Sequence, residues 1–287
     1  MLQAPYRYLP PYLYHYPLPH RSPPLPPPAP GRILFDSSGE SNNVNWMYSN
    51  GVRNPPYQRF IQGYESYWSQ DGAKIVFDAG GSFDGEFIYG IAVVNADGSN
   101  GSLIFTTEGN DLASPSWSPD GTKIAFANNN RIMTVNVDGS NPVTLPPAWP
   151  SNRPAWSPLG GKIAFKNDGG VYVMNDDGSD IVKLASAEGG ISKPFWSPDG
   201  SKIAFSHHGE IYIMNSDGAN QVKLTDNSGR PGVDDRNPSF SPDGTHIAFD
   251  SNRDGIKEIY VMKSDGSNQF RITNDPPRSA MTPNWGQ

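Results

Sequence analysis

From residue 31 onward the chain alternates short apolar runs with polar turns. In the stretch from Pro194 to Leu224, Lys202-Ile203-Ala204-Phe205-Ser206 is one such run. Glu210-Ile211-Tyr212-Ile213-Met214-Asn215 is the next. Runs of this length, rich in β-branched and aromatic residues and bounded by Pro, Asp and Gly, predict β-strands. Asp199-Gly200 precedes the first run and Asp217-Gly218 follows the second. Asp-Gly between apolar runs marks a tight hairpin, because Gly reaches positive φ at little cost. The pattern predicts four antiparallel strands here: A from Pro194 to Ser197, B from Lys202 to Ser206, C from Glu210 to Asn215 and D from Gln221 to Leu224. Strand C is apolar on both faces, which suits a sheet covered on both sides.

This pattern repeats. Trp68, Trp117, Trp156, Trp196, Phe240 and Trp285 each open a copy, at spacings of 49, 39, 40, 44 and 45 residues. A period of 40–45 residues with several short strands per unit predicts a β-propeller. The first propeller residues, Gly31-Arg32-Ile33-Leu34-Phe35, match a strand B. Val44 to Tyr48 then read as a strand C and Tyr57 to Ile61 as a strand D, while Thr282 to Gly286 supply a strand A. The expectation is an all-β, six-bladed β-propeller of four-stranded antiparallel blades over residues 31–287. It is closed by N- and C-terminal strands in one shared blade.

Residues 1–30 stand apart. They hold 11 prolines and 5 tyrosines, which disfavours regular helix or central strand and predicts an extended or disordered tail. Pro23-Pro24-Leu25-Pro26 fits a P-x-x-P groove ligand, although so Pro-rich a stretch contains that pattern by chance.

Charge and composition narrow the function. The first 32 residues carry three arginines and no acid, and the remaining 19 basic and 29 acidic residues give −10. That argues against nucleic acid, which requires clustered Lys and Arg. The absence of cysteine excludes disulfides and thiolate chemistry. No apolar run is long enough to span a bilayer, and no secretory signal is visible.

The repeated Pro-x-Trp-Ser-Pro-Asp-Gly-x-Lys-Ile-Ala-Phe and Ile-Tyr-Val-Met-Asn-x-Asp-Gly-Ser-Asn units resemble the WD-like repeats of TolB-type propellers. Similar repeats occur in the propeller of prolyl-oligopeptidase-type peptidases. The resemblance covers residues 31–287 and implies the fold and a periplasmic or extracellular location. The extra α/β domain of TolB and the hydrolase domain of the peptidases have no counterpart here, so neither activity carries over.

Function is expected where the repeats differ. The A–B and C–D turns share one face and are nearly uniform. The B–C and D–A loops on the other face vary in length and charge, as binding surfaces do. The residues before the strand-A prolines, Ser114, Arg153, Lys193, Asn237 and Thr282, should rim the channel on that face. The densest polar cluster there holds His207, His208, Glu210, Arg230, Asp234, Asp235, Arg236, Arg253 and Asp254. The candidate binding residues are therefore Arg153, Lys193, His207, His208, Arg230, Asp234, Asp235, Arg236 and Asn237.

No catalytic or metal set is assigned. Asn136-Val137-Asp138-Gly139 lacks the spaced acids of a calcium loop and reads as turn chemistry. His207 ends one strand B and His246 opens another; about five residues of some 3.3 Å each separate them, so they cannot share an ion. There is no nucleophile elbow, P-loop or dinucleotide fingerprint. The expectation is a monomeric, non-enzymatic module without cofactor that binds a protein or peptide, or more weakly a carbohydrate. The alternative is a propeller hydrolase or lyase using carboxylates such as Asp234 and Asp235, which would gather two acids within about 5–10 Å in a central pocket.

Overall fold

The computed structural model describes residues 31–37, 43–48, 63–83, 86–107, 112–147, 149–186, 190–274 and 279–286. All regular structure among them is β. Strands β1 (Arg32–Ser37) and β2 (Asn43–Tyr48) come first. The next sheet is β3 (Gly63–Trp68), β4 (Lys74–Phe83), β5 (Glu86–Asn95) and β6 (Ser102–Thr107). Then come β7 (Leu112–Trp117), β8 (Lys123–Asn128), β9 (Arg131–Asn136) and β10 (Val143–Thr144). The third set is β11 (Asn152–Trp156), β12 (Lys162–Asn167), β13 (Gly170–Asn175) and β14 (Val182–Ser186). The fourth is β15 (Phe195–Trp196), β16 (Lys202–His207), β17 (Glu210–Asn215) and β18 (Val222–Lys223). The fifth is β19 (Asp235–Phe240), β20 (His246–Ser251), β21 (Glu258–Lys263) and β22 (Phe270–Arg271), and β23 (Ala280–Gly286) ends the chain.

Each set of four forms one sheet of sequential neighbours, giving five four-stranded antiparallel blades. Six complete blades were expected. The remaining sheet has three strands in the order β2-β1-β23, with Arg32 opposite Gly286 and Ile33 opposite Trp285. The fourth strand expected at Tyr57 to Ile61 lies outside the described residues, as does the tail at 1–30. A second difference concerns residues 78 to 86, read from sequence as a loop. There β4 and β5 continue as a ten-residue hairpin, from Lys74 opposite Asn95 to Phe83 opposite Glu86. Gly80 and Gly81 hid this extension, since glycine reads as a strand breaker.

Blades pack face to face through the apolar strands B and C. The strand-B phenylalanines Phe35, Phe77, Phe126, Phe165, Phe205 and Phe249 are all buried. Val76 and Ile91 of one blade meet Trp117, Ile124 and Phe126 of the next. The three-stranded sheet packs on both sides: Ile33 and Phe35 contact Ala248 and Ile259, and Leu34 contacts Trp68 and Phe77. Small residues such as Ala125, Ala164, Ala204 and Ala248 let neighbouring sheets approach.

The uniform turns have a tertiary cause as well as a local one. In the A–B turn, Ser197 Oγ donates to Asp199 Oδ1 at 2.6 Å, and Asp199 in turn accepts from Ser201 N at 3.0 Å. In the C–D turn, Gly218 has φ 88°, and a Cβ there would stand 2.8 Å from Leu184 O on the preceding blade. Glycine at this turn therefore serves both the hairpin and the contact between blades.

Candidate functional site

The irregular face is built around a repeated backbone distortion. In β3, β7, β11, β19 and β23 the register with the next strand slips, leaving a bulge. At each bulge one non-glycine residue adopts left-handed φ: Glu65 at 48°, Ser114 at 55°, Arg153 at 54°, Asn237 at 52° and Thr282 at 49°. Such residues cost energy, and bulges re-aim side chains beside functional sites. A second set of positions follows the strand-B phenylalanines: Asp36, Asp78, Ala127, Lys166, Ser206 and Asp250. The acids among them fall on the fifth blade, the three-stranded sheet and the first blade, which are consecutive neighbours.

Six of these positions, Asp36, Glu65, Asp78, Asn237, Asp250 and Thr282, line a cavity of about 450 Å³ at the channel mouth. Its walls include Asp36, Glu65, Asp78, Asp234, Arg236, Asn237, Asp250, Lys257 and Thr282. One polar network runs around it. Ser114 donates its hydroxyl to Glu65. Arg153 Nη1 reaches Glu65 Oε1 at 2.9 Å from two blades away. Glu65 N donates to Asp36 Oδ2 at 2.9 Å, and the Thr282 hydroxyl donates to the same carboxylate. Thr282 N donates to Asp250 Oδ2 at 3.2 Å, and Asn237 Nδ2 donates to it at 2.6 Å. Lys257 Nζ joins Asp250 at 2.6 Å to Asp234 at 3.3 Å, and Arg236 Nε meets Asp234 at 2.7 Å.

Electrostatics divide the mouth. Burial pushes the Asp36 carboxyl up to about 7, against the hydrogen bonds from Thr282 and Glu65 N and with the help of the charges on Glu65 and Asp250. Its Oδ1 is buried without a partner. For Asp234 burial acts upward, but Arg236 and Lys257 hold the carboxyl below its ordinary range. Beside this acidic arc are Arg153 and Lys166. Burial, then repulsion from Arg153, lowers the Lys166 pKa, and its Nζ donates to Ile191 O at 3.2 Å.

Two expected rim residues are interior ones. Lys193 is 2% exposed. Its Nζ crosses toward another blade, donating to Pro115 O at 2.7 Å and Ser114 O at 3.3 Å and lying 3.5 Å above the Tyr67 ring. Asp235 is fully buried, paired to Arg253 Nη2 at 2.9 Å and to Asn227 Nδ2 at 2.9 Å. The alternation of a strand explains Asp235: it opens β19 and points inward, while Arg236 points out. Arg153, Asp234, Arg236 and Asn237 join the mouth network. The His207 and His208 rings meet at 4.0 Å, tilted by 41°, at the β16–β17 turn, and Arg230 is exposed on the loop before β19; none of the three lines the cavity.

Sequence reasoning passed over Asp36, Glu65, Asp78, Asp250 and Lys257. Glu65 holds the position of Ser114 but precedes Ser66 rather than proline, so the proline search missed it. The acids shared a visible signal, Phe-Asp at the end of strand B in three copies. Among the described residues no group of three or more His, Asp or Glu is arranged to hold a metal ion. No helix there is long and apolar enough to cross a membrane.

The sequence matches the TolB beta propeller domain over residues 64–205 and 127–287. The chain belongs to that family. No curated protein matches it at a significant level. Among solved structures, TolB from Acinetobacter baumannii superposes with a TM-score of 0.73 at 19% identity, covering 89% of this chain and 66% of that one. The chain thus spans just under two thirds of that TolB. A chain of a nidogen–laminin complex superposes at 0.68 with 11% identity, covering 89% and 98%. An oligogalacturonate lyase from Vibrio parahaemolyticus superposes at 0.54 with 16% identity, covering 87% and 75%. At these identities the likeness is one of fold.

Proposed function

We propose that residues 31–287 form one six-bladed ring and that it binds a protein or peptide segment at the irregular-face mouth. The three-stranded sheet is the sixth blade. One observation carries the binding reading: an acidic arc of Asp36, Glu65, Asp78, Asp234 and Asp250 lies beside the basic side chains of Arg153, Lys166 and Arg236 at one opening. A ligand matching both sets carries both signs of charge at fixed spacing, as a peptide does and a neutral sugar does not. Arg153 and Arg236 keep 31% and 44% of their side chains exposed, so they remain available to it. The nidogen–laminin structure, which shares this fold, is of a protein complex, which agrees with this use of the fold.

The test is selection from a random peptide display library on the immobilised full chain, followed by titration of the winners. Winners should carry both charge signs. Arg153→Ala with Arg236→Ala should weaken them at least tenfold, about 1.4 kcal/mol. Binding that ignores this double variant refutes the site.

Asp36 favours a second reading. Its carboxyl, raised to about 7 and sharing a cavity with Glu65 and Asp250, has the form of a general acid or base. Two acids in one central cavity are what the enzyme alternative requires. The lyase likeness points to a uronate polymer as the first substrate to try. Turnover that is lost in Asp36→Asn would replace the binding reading.

A further inference from the structure

The mouth network leaves one of its acids without a cation. Glu65 pairs with Arg153, Asp250 with Lys257, and Asp234 with both Lys257 and Arg236. Asp36 has no such partner among the described residues. Its Oδ2 accepts from Glu65 N and from the Thr282 hydroxyl, and its Oδ1 has no partner. The side chain is 5% exposed and lines the cavity of about 450 Å³. Buried polar atoms in native proteins are nearly always partnered. Here the unpartnered atom belongs to a carboxyl, so it is the place where a proton resides.

The elements packed around Asp36 bring acids rather than bases. Glu65 of β3 touches it through a backbone amide, so its own carboxylate is close by. Thr282 of β23 bridges Asp36 to Asp250 of β20, with its hydroxyl on the first and its amide on the second. Asp78 of β4 follows Phe77 as Asp36 follows Phe35, and it lines the same cavity. Tyr67 of β3 stays a neutral phenol, because burial and then the charge of Glu65 push its pKa up. Opposite Asp36 in its own sheet stand Val44 and Met281, which do not titrate. Lys166 of β12 is turned to Ile191 O. Arg153, Arg236 and Lys257 serve the other acids. The charges acting on Asp36, those of Glu65 and Asp250, share its sign. An opposite charge nearby favours an ionised carboxyl, and a like charge favours the protonated one. A positive group entering the cavity therefore competes with the proton of Asp36, and it need not touch Oδ1 to do so.

We propose that the cavity takes the positive group of the segment bound at the mouth, a lysine or arginine side chain or a free N-terminus, and that this group displaces the proton of Asp36. The proposal rests on the mouth reading above and adds which part of the segment enters the cavity and how pH controls it. The Asp36 carboxyl titrates at about 7, so the exchange falls across neutral pH. Its sign is fixed by linkage. A cation prefers the ionised carboxyl, so binding strengthens as pH rises through 7, and the bound cation lowers the midpoint by the same coupling.

The test is carbon NMR of the Asp36 carboxyl in the full chain. Its resonance is assigned through bonds to its own amide and checked by its loss in Asp36→Asn. Four probes are titrated at fixed ionic strength: n-butylammonium, n-butylguanidinium, n-butanol and butyrate. At least one of the two cations should lower the Asp36 midpoint by about one pH unit or more. The same cation should bind roughly tenfold more tightly at pH 8.5 than at pH 5.5. The cation with the larger shift separates arginine from lysine or an N-terminus. The alcohol and butyrate should leave the midpoint in place. A midpoint that neither cation moves overturns the proposal, and so does one raised by butyrate. A midpoint near 4 in the protein alone also overturns it, because no proton is then held for a cation to displace. Display-selected peptides that bind through Arg153 and Arg236 but leave the midpoint unchanged overturn this seat alone. A midpoint moved by a cation in a chain that selects no peptide overturns the mouth reading alone.

Discussion

Asp36→Asn tests the electrostatics of the channel mouth most directly. The carboxyl is buried, and its Oδ2 accepts from Glu65 N and from the Thr282 hydroxyl while Oδ1 has no partner. An asparagine can keep both bonds through its carbonyl and turn its amide toward the cavity where Oδ1 stood. The substitution therefore removes the charge and leaves the contacts. The folded carboxyl titrates near 7, against 3.8 unexposed to such burial. The native state thus binds a proton that the unfolded state has released between these values, so wild-type stability is full below pH 4 and falls as pH rises toward 7. The shift corresponds to a ceiling of about 4 kcal/mol. Water entering the channel relaxes part of it, and about 2 kcal/mol is the expected net.

Asp36→Asn should match wild type at pH 4 to 4.5 and exceed it by about 2 kcal/mol at pH 8, or roughly 4–8 °C in melting temperature for a domain of this size. Urea titrations of both proteins across pH 4.5–8.5 measure this. The gap should open from about pH 4, complete itself near pH 7 and then stay constant. A gap independent of pH means that Asp36 is not the titrating group. A variant less stable at pH 8 means that the carboxylate is paired in the folded protein, and the burial argument fails.

Trp117→Ala should cost about 3–5 kcal/mol in urea unfolding, because it empties a contact between blades and frees the Tyr67 carbonyl. Gly218→Ala should cost about 1–2 kcal/mol from positive φ, plus the clash with Leu184 O. Gly121→Ala has φ 68° and open space around it, so it should cost only the first part; equal losses would show that the contact between blades plays no role. Lys193→Met should destabilise by about 1–3 kcal/mol near pH 11, where the amine is neutral in the folded and unfolded chain alike and donates to Pro115 O without an ionisation cost. Burial holds the Lys193 pKa well below its ordinary 10.5, so wild-type stability falls as pH drops below that value and the gap should narrow toward pH 7. A gap that widens instead would mean that the folded protein stabilises the ammonium.

The repeat was legible because its causes are local. Trp-Ser-Pro-Asp-Gly specifies a turn wherever it occurs, since serine, aspartate and glycine each satisfy a backbone group of that same turn. Lys-Ile-Ala-Phe reads as strand B for an equally local reason. Strand C from Glu210 to Asn215 is found with the boundaries its pattern implied. The mouth was legible only in part. Arg153 and Asn237 could be placed there because proline marks their position, yet the same rule put Lys193 on the rim. Lys193 differs from the others in geometry, not in sequence context. It precedes β15, which is only two residues long, and it is absent from the residues with left-handed φ, so its side chain turns inward instead of around the opening.

The acidic arc was hidden for a related reason. Whether an aspartate belongs to a turn or to a cavity depends on which end of strand B carries it. Asp199 precedes its strand and meets the hydroxyls of Ser197 and Ser201 within its own turn, so its charge is satisfied locally. Asp36, Asp78 and Asp250 follow theirs, where no turn residue is at hand. The partners of Asp36 and Asp250 are distant in the chain or on a neighbouring sheet: Asp36 takes Thr282 from β23 at the far end of the chain and Glu65 N from the next blade, and Asp250 adds Thr282 N from the neighbouring sheet to Asn237 and Lys257 of its own. A charge whose partners lie on other blades is satisfied only after those blades assemble, so single-repeat reasoning cannot assign it. For the same reason its protonation reports on the assembled channel. The Phe-Asp copies in β1, β4 and β20 are therefore the part of the repeat that the fold of one blade does not require, and they all face one opening.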